Sequence, residues 1–339
     1  MMKDFVLPVG KLDSEVLKEI VFNKITFRRD EIITRPGIGE DCAAIDFGQY
    51  ECVVSTDPIT AAVSDIGRLS IHISCNDVAS NGIEPLGILL AVMLPVGTTA
   101  SDVERIMADA AKAAELCNVE IIGGHTEVTP AAAKPIIVST AIGRAVRGAS
   151  ASAKDMKPGD FIYMTKTAGI EGTGIIACDF EKELLEVMTP SEVEEARNLL
   201  DLVSVIPEGL IGGEIGTSGM HDITEGGILG AVWEMCHVSG TGAEVYIDSI
   251  PVLDITRKVC DRFDINCLRL ISSGCMLMVV TPENAEEMEK RMAEKNIRFT
   301  KIGVVTEEGT EVMAKYADGH EEIIDPPYAD ELYKVVGRE

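Results

Sequence analysis

Short apolar runs rich in Ile, Val and Leu alternate with amphipathic helical stretches along the whole chain. That alternation confines the fold to layers in which helices cover sheets, because each strand needs a buried face and each helix an apolar stripe to bury. The first half offers strand candidates at Glu51–Thr56, Gly87–Leu94, Val119–Ile122 and Pro135–Ile142. The second half offers Phe161–Thr165, Ala243–Ile247, Cys275–Val280 and Ile302–Val305. Helical spacing marks Ser64–Ser80, Ser101–Cys117, Pro190–Val205, Ile223–Val238, Asp254–Phe263 and Pro282–Lys295. The expected class is α/β or α+β. At 339 residues the chain suits two domains. A boundary is expected between Arg147 and Gly159, where Gly148–Ala153 is small and weakly patterned and Lys157-Pro158-Gly159-Asp160 signals a turn. Domains 1–148 and 149–339 then each read as strands, helix, strand, helix, strands.

A net charge of −26 argues against nucleic acid, which requires a basic footprint, and against an anionic membrane surface. The longest apolar stretch, Leu86–Val96, is too short to span a bilayer and reads as a buried strand. Met1–Gly10 lacks a basic region followed by a long apolar run, so no signal peptide is expected. The nine cysteines form no C-x-x-C pair and no cluster with histidine. Reduced, mostly buried thiols in a cytoplasmic protein account for them.

Four acidic or amide-bearing clusters sit beside Gly, Thr or Asn in the first 130 residues: Gly37-Ile38-Gly39-Glu40-Asp41, Thr56-Asp57-Pro58, Asn76-Asp77 and Gly123-Gly124-His125-Thr126-Glu127. Each falls at an expected strand or helix junction, where ligands bind in α/β proteins because loop backbones and helix N-termini meet there. Several carboxylates gathered in one place need cations, and Mg²⁺ carrying phosphates is the usual one. On the helix Ser64–Ser80, the stripe Ile66, Leu69, Ile73 continues into Asn76, Asp77 and Ser80. A buried carboxylate is costly unless paired, so Asp77 needs a metal, a basic partner or a helix-end hydrogen bond.

The other clusters admit two readings each. Gly37–Asp41 suits either a phosphate-cradling loop or a plain turn. Asp57 closes an apolar strand at its ligand side, or serves as a turn aspartate before Pro58. Gly123–Glu127 follows a strand end; Thr126 and Glu127 offer a hydroxyl and a carboxylate, while His125 lacks a partner at zinc spacing and reads as a loop hydrogen-bonder. Gly169–Gly174 joins a strand to an apolar helix and either binds phosphate or gives flexibility. Asp222-Ile223-Thr224-Glu225 has the capping-box pattern, which accounts structurally for both acids. Gly226-Gly227 then allows close packing or close ligand approach.

In order, these motifs are Gly-x-Gly-x-Asp, Thr-Asp-Pro, Asn76-Asp77-x-Ala-x-x-Gly82-x-x-Pro85, Gly-Gly-x-Thr, and His221-Asp222-x-Thr-x-Gly226-Gly227. The set, spanning about residues 35 to 305, resembles the aminoimidazole ribonucleotide synthetase superfamily, and its last motif most resembles the hydrogenase-maturation branch. The resemblance implies two α/β domains and a homodimer whose N-terminal strands form a shared barrel, with ATP in a cleft near that interface. It implies that Asp41, Asp57 and Asp77 hold Mg²⁺ and ATP phosphates, and that Asp222 is a further metal ligand. By the same resemblance Gly37, Gly39, Asn76, Gly123, Gly124, Thr126 and Glu127 belong to the nucleotide-binding segments.

Three departures limit the carry-over. The hydrogenase-maturation branch ends in a cysteine-bearing tail, whereas the last cysteine here is Cys275. Glu225 stands where that branch usually has arginine, and no cysteine–lysine pair of the selenophosphate type is evident near the N-terminus. The reading is therefore an ATP- and Mg²⁺-dependent enzyme that phosphorylates an oxygen of a small-molecule carbonyl, amide or phosphate, without dehydration of its own thiocarbamate. Its alternatives are a small-molecule kinase of the thiamine monophosphate type and a non-catalytic nucleotide-binding partner in cofactor assembly. No catalytic residue is assigned.

Overall fold

The computed structural model describes residues 12, 14–60, 65–151 and 155–336. Met1–Gly10, Ser64, residues 152–154 of the expected boundary and residues 337–339 lie outside the described residues. The first domain runs α1 (Ser14–Ile20), β1 (Ile32–Thr34), β2 (Ala43–Asp46), β3 (Tyr50–Ile59), α2 (Ile66–Ser80), β4 (Pro85–Leu94), α3 (Ala100–Leu116), β5 (Glu120–Val128) and β6 (Ile136–Val146). Its six strands lie in the order β1-β2-β3-β6-β4-β5. Only β4 and β5 are parallel, and α3 supplies the crossover that a parallel pair requires. The Thr99–Asp102 capping box starts α3, and Ile106, Ala110, Ala113 and Ala114 form its buried stripe. Apart from Arg68, every residue of α2 is buried, the condition of a helix covered on all sides. Gly67 allows α3 to lie close, since a Cβ there would sit 2.2 Å from the Ile106 carbonyl oxygen.

The second domain contains β7 (Phe161–Thr165), α4 (Ile170–Asp179), α5 (Glu181–Leu184), α6 (Pro190–Asn198), α7 (Ile206–Ile215), β8 (Gly219–Asp222) and α8 (Gly227–Ser239). It continues through β9 (Thr241–Tyr246), α9 (Asp254–Phe263), β10 (Met276–Val280), α10 (Ala285–Glu294), β11 (Phe299–Glu308), β12 (Val312–Lys315), β13 (Glu321–Ile323) and α11 (Tyr333–Val336). Seven strands form a second sheet, β13-β12-β9-β11-β7-β10-β8. The domains meet where α2 packs on α7: a Cβ on Gly209 would sit 2.1 Å from the Ala79 carbonyl oxygen. Among the described residues no helix is long and apolar enough to cross a membrane. All nine cysteines are free thiols.

Several expectations change. The strand expected to end at Ile122 continues to Val128, so Gly123–Glu127 is not a loop but the exposed course of edge strand β5. Two glycines let it pass β4 closely; a Cβ on Gly124 would sit 1.9 Å from the Leu90 carbonyl oxygen. Asp57 lies within β3, not beyond its end. The helix expected over Pro190–Val205 gives way to a 3-10 turn at Leu199–Leu202. Gly169–Gly174 is neither a phosphate loop nor a flexible link. Gly169 caps α4 at φ 76°, and Gly172 and Gly174 lie inside the helix with room only for hydrogen against Leu270 and Leu200.

The capping box at Asp222–Glu225 does not form. Gly226 and Gly227 are left-handed, at φ 88° and 61°, so α8 begins only at Gly227 with no side-chain cap and Asp222 stays in β8. In the single chain β3, β4 and β6 each bury one face. Burial largely alternates along them. One face packs on α2, while Leu86, Leu89, Ile122 and Val128 of β4 and β5 stay exposed in the single chain.

Candidate functional site

A cavity of about 920 Å³ opens between the domains. The first domain lines it with Gly37–Ala43, the C-terminal half of β3 and Asp77 of α2. The second supplies Glu171, His221, Asp222, Thr224, Glu225, Ser273 and, from α11, Tyr333. Gly39 carries φ 70° and lies against α8, where a Cβ on it would sit 2.6 Å from Val238 Cγ2. That left-handed turn docks the Gly37–Asp41 loop onto the second domain and aims Asp41 inward.

Asp41, Asp57, Asp77 and Asp222 all line this cavity. The Ser55 hydroxyl donates to Asp77 Oδ2 at 2.5 Å and lies 3.3 Å from Asp57 Oδ2, so it orients both acids. Burial pushes the Asp77 carboxyl well above the usual carboxylate range, and the neighbouring Asp57 and Asp222 charges push it further. His221 Nδ1 lies 3.2 Å from Asp41 Oδ2 and 3.8 Å from Asp222 Oδ1, and Nε2 lies 3.3 Å from Glu234 Oε2. Burial alone would lower the His221 pKa, but the Asp41 charge and the bonds to its acidic neighbours hold it well above its ordinary value. The imidazole is therefore held among three acids.

Asp222 is pushed up to about 6 by burial, with His221 pulling the other way. Both of its carboxylate oxygens are buried without a hydrogen-bond partner. Ligand atoms of Asp41, His221 and Asp222 lie within 4.8 Å of one another. Orphaned carboxylate oxygens are expensive in a protein interior, and the carboxylates of Asp41, Asp57, Asp77 and Asp222, which line one cavity, fit a hard divalent cation such as Mg²⁺. Glu171, at the start of α4, is a second such group. Burial pushes its carboxyl up to about 7, with Ser273 opposing, and its Oε2 has no partner.

Gly37 and Gly39 line the cavity with the four aspartates. Asn76, Gly123, Gly124, Thr126 and Glu127 do not. The Asn76 amide donates to the Val203 carbonyl at 2.7 Å and accepts from the Val205 N–H at 2.9 Å, fully buried. It fastens α2 to the second domain. His125 and Glu127 face solvent on β5, 3.5 Å apart.

His221, Glu234, Ser55 and Glu171 had no role expected from sequence. His221 stood inside a quoted motif. Glu234 was detectable as the one acid in the apolar run of α8, Gly227–Ser239. Ser55 and Glu171 carry no local signal, because their partners are distant in the chain.

Residues 39–145 match the model of the AIR synthase related protein N-terminal domain, and residues 157–315 match that of the C-terminal domain. A putative hydrogenase expression/formation protein of Methanocaldococcus jannaschii is 29% identical over 343 residues, covering 96% of this chain and 97% of its own. The carbamoyl dehydratase HypE of Bradyrhizobium diazoefficiens is 28% identical over 258 residues, covering 73% of this chain and 71% of its own. A solved structure of AaThiL complexed with AMPPCP and TMP shares the fold at TM-score 0.73 and 21% identity, covering 94% of this chain and 99% of that one.

Proposed function

This chain belongs to the AIR synthase related proteins, with their two-domain α/β fold, and from that premise we propose that it is an ATP- and Mg²⁺-dependent enzyme phosphorylating an oxygen of a small-molecule acceptor. The observation that carries the reading is the convergence of Asp41, Asp57, Asp77 and Asp222 from both domains on one cavity. Carboxylates so close together, one with two unpartnered oxygens, call for a cation and the anion it carries. Asp41, Asp57, Asp77 and Asp222 are the residues that would hold Mg²⁺, which when bound neutralises phosphate charge.

The chain's own groups position the reactants. Ser55 holds Asp57 and Asp77 in fixed orientation, and His221 braces Asp41 against Glu234. Gly37 and Gly39 line the cavity, so the loop backbone lies where phosphate oxygens would sit. Positioning and charge neutralisation are what phosphoryl transfer asks of a protein.

The reading includes a homodimer. The exposed apolar face of β4 and β5 supports it, since an unpaired apolar edge strand is normally covered. On this reading Gly123, Gly124, Thr126 and Glu127 join the nucleotide site only in the assembled pair.

Calorimetry with ATP and Mg²⁺ tests the site. Binding should weaken at least about tenfold in Asp77→Asn, as expected for loss of a charge-assisted contact. Equal binding by wild type and a triple Asn variant at 41, 57 and 77 would reject it. Phosphorus NMR of the products then separates a kinase, whose product keeps the phosphoryl group, from a dehydratase or ligase, which releases phosphate.

A further inference from the structure

Three of the nine cysteines, Cys52, Cys178 and Cys267, are partly exposed, and the other six are buried. Burial raises the Cys52 thiol and pushes Cys178 up to about 11, so both hold little of the reactive thiolate at neutral pH. Cys117 lies 3.2 Å from His72 Nδ1 and also meets Cys75. That pair sits in the first-domain core at 5% and 0% exposure, where an oxidant has no access.

Cys267 combines access with a partner thiol. Helix α9 ends in a Schellman turn. Asp264 is left-handed at φ 55°, the Ile265 N–H donates to the Cys260 carbonyl at 3.1 Å, and the Asp264 N–H donates to the Asp261 carbonyl at 3.4 Å. The turn folds the chain back on the helix, and the Cys267 and Cys260 thiols share a hydrogen bond. The returning arm is fixed as well. The buried Glu331 carboxylate accepts from the Asn266 N–H at 3.1 Å, and Asn266 Oδ1 accepts from the Leu268 N–H at 2.9 Å. The bond from Cys260 holds the Cys267 thiol down to about 7 against burial, with the Arg257 charge acting the same way. That bond, together with burial, holds Cys260 well above its ordinary value. Past the pair, the chain runs into the cavity wall: the Gly172 N–H donates to the Ile271 carbonyl at 3.0 Å, and Ile271 lines the cavity.

We propose that Cys260 and Cys267 are a redox modification site, closing a reversible disulfide when a hydroperoxide reaches Cys267. The Cys267 thiolate attacks one peroxide oxygen, giving a sulfenic acid and, from hydrogen peroxide, hydroxide. The Cys260 thiol then attacks that sulfur; the S–S bond forms, and the sulfenic oxygen leaves as water with the Cys260 proton. The two thiols give up two electrons, and one hydrogen peroxide becomes two waters. The free thiols of the structure are the reduced state of this pair. The site is independent of the phosphoryl-transfer reading.

The reduced full chain, treated while folded with a small excess of hydrogen peroxide, quenched with catalase and alkylated after unfolding, tests the site. It should show two thiols fewer than the nine of the untreated chain, and dithiothreitol should restore all nine. Trypsin cuts after Lys258, Arg262 and Arg269, so the link should appear in mass spectra as peptides 259–262 and 263–269 joined with the loss of two hydrogens. Cys267→Ser should lose none of its remaining thiols. Cys260→Ser keeps the nucleophile without the resolving thiol and should stop at a sulfenic acid on Cys267 that dimedone traps; it carries the test should Cys267→Ser not fold. Nine thiols surviving in the wild-type chain would overturn the proposal. So would a link between Cys75 and Cys117 in its place, or a wild-type Cys267 sulfenic acid that dimedone traps while Cys260 stays open to alkylation.

Discussion

Asp222→Asn should make the metal-free protein more stable at neutral pH, and the gain should be visible only above a definite pH. Asp222 is buried, its two oxygens lack hydrogen-bond partners, and its carboxyl is pushed up to about 6 from an ordinary 3.8. The folded state therefore keeps the proton more tightly than the unfolded state. The associated stability is fully present below about 3.8 and is lost as pH rises through about 6, after which the curve is flat. Two pKa units correspond to about 3 kcal/mol, as an order of magnitude. Asparagine cannot ionise and escapes that loss, while His221 keeps Asp41 and Glu234 as counter-charges.

Urea unfolding at pH 8 without divalent ions should place Asp222→Asn above wild type by roughly that ~3 kcal/mol, with the two converging near pH 4. Magnesium should narrow the gap, since a ligand at a hundred times its dissociation constant stabilises by about 2.7 kcal/mol, which offsets most of the wild-type deficit and does little for the variant. A less stable variant at pH 8, or a difference that does not change between pH 4 and 8, would refute the reasoning.

Asn76→Leu should destabilise by about 2–5 kcal/mol in the same unfolding assay, because it orphans the Val203 carbonyl and the Val205 N–H in the domain junction; a loss under about 1 kcal/mol would contradict that role. Gly209→Ala should cost about 1–3 kcal/mol by forcing α7 away from the Ala79 carbonyl, and an unchanged melting temperature would count against this packing. Light scattering should report a dimer for the wild-type chain and a monomer for Ile122→Glu, which places a charge on the exposed face of β5. A wild-type monomer at micromolar concentration would remove the dimer from the reading.

Much of this architecture was legible locally. The expected strands at Phe161–Thr165 and Gly87–Leu94, and the helix at Asp254–Phe263, coincide with or lie within β7, β4 and α9, because side-chain periodicity follows directly from backbone geometry. Asp77 was identifiable as a costly inward-facing acid from its place on the stripe Ile66, Leu69, Ile73. Short strands such as β1, β8 and β13 were missed because three or four residues are too few to show a period.

What the sequence determined by itself was the kind of molecule: alternating elements that require layered α/β domains, an acidic balance that excludes a nucleic-acid footprint, and carboxylates whose burial demands cations. The tertiary structure decided which of those groups meet. Two left-handed glycines delay α8 and convert Asp222 from an expected helix cap into a buried acid facing Asp41. The packing of α2 on α7 turns Asn76 away from the cavity to fasten the domain junction, and the parallel pairing of β4 with β5 draws Gly123–Glu127 into an edge strand. Local patterns record the period and propensity of each segment. The partner of a buried polar group is set by contacts such as those between residues 55 and 77, 76 and 205, or 41 and 221, and separations that long leave no trace in any single window of sequence.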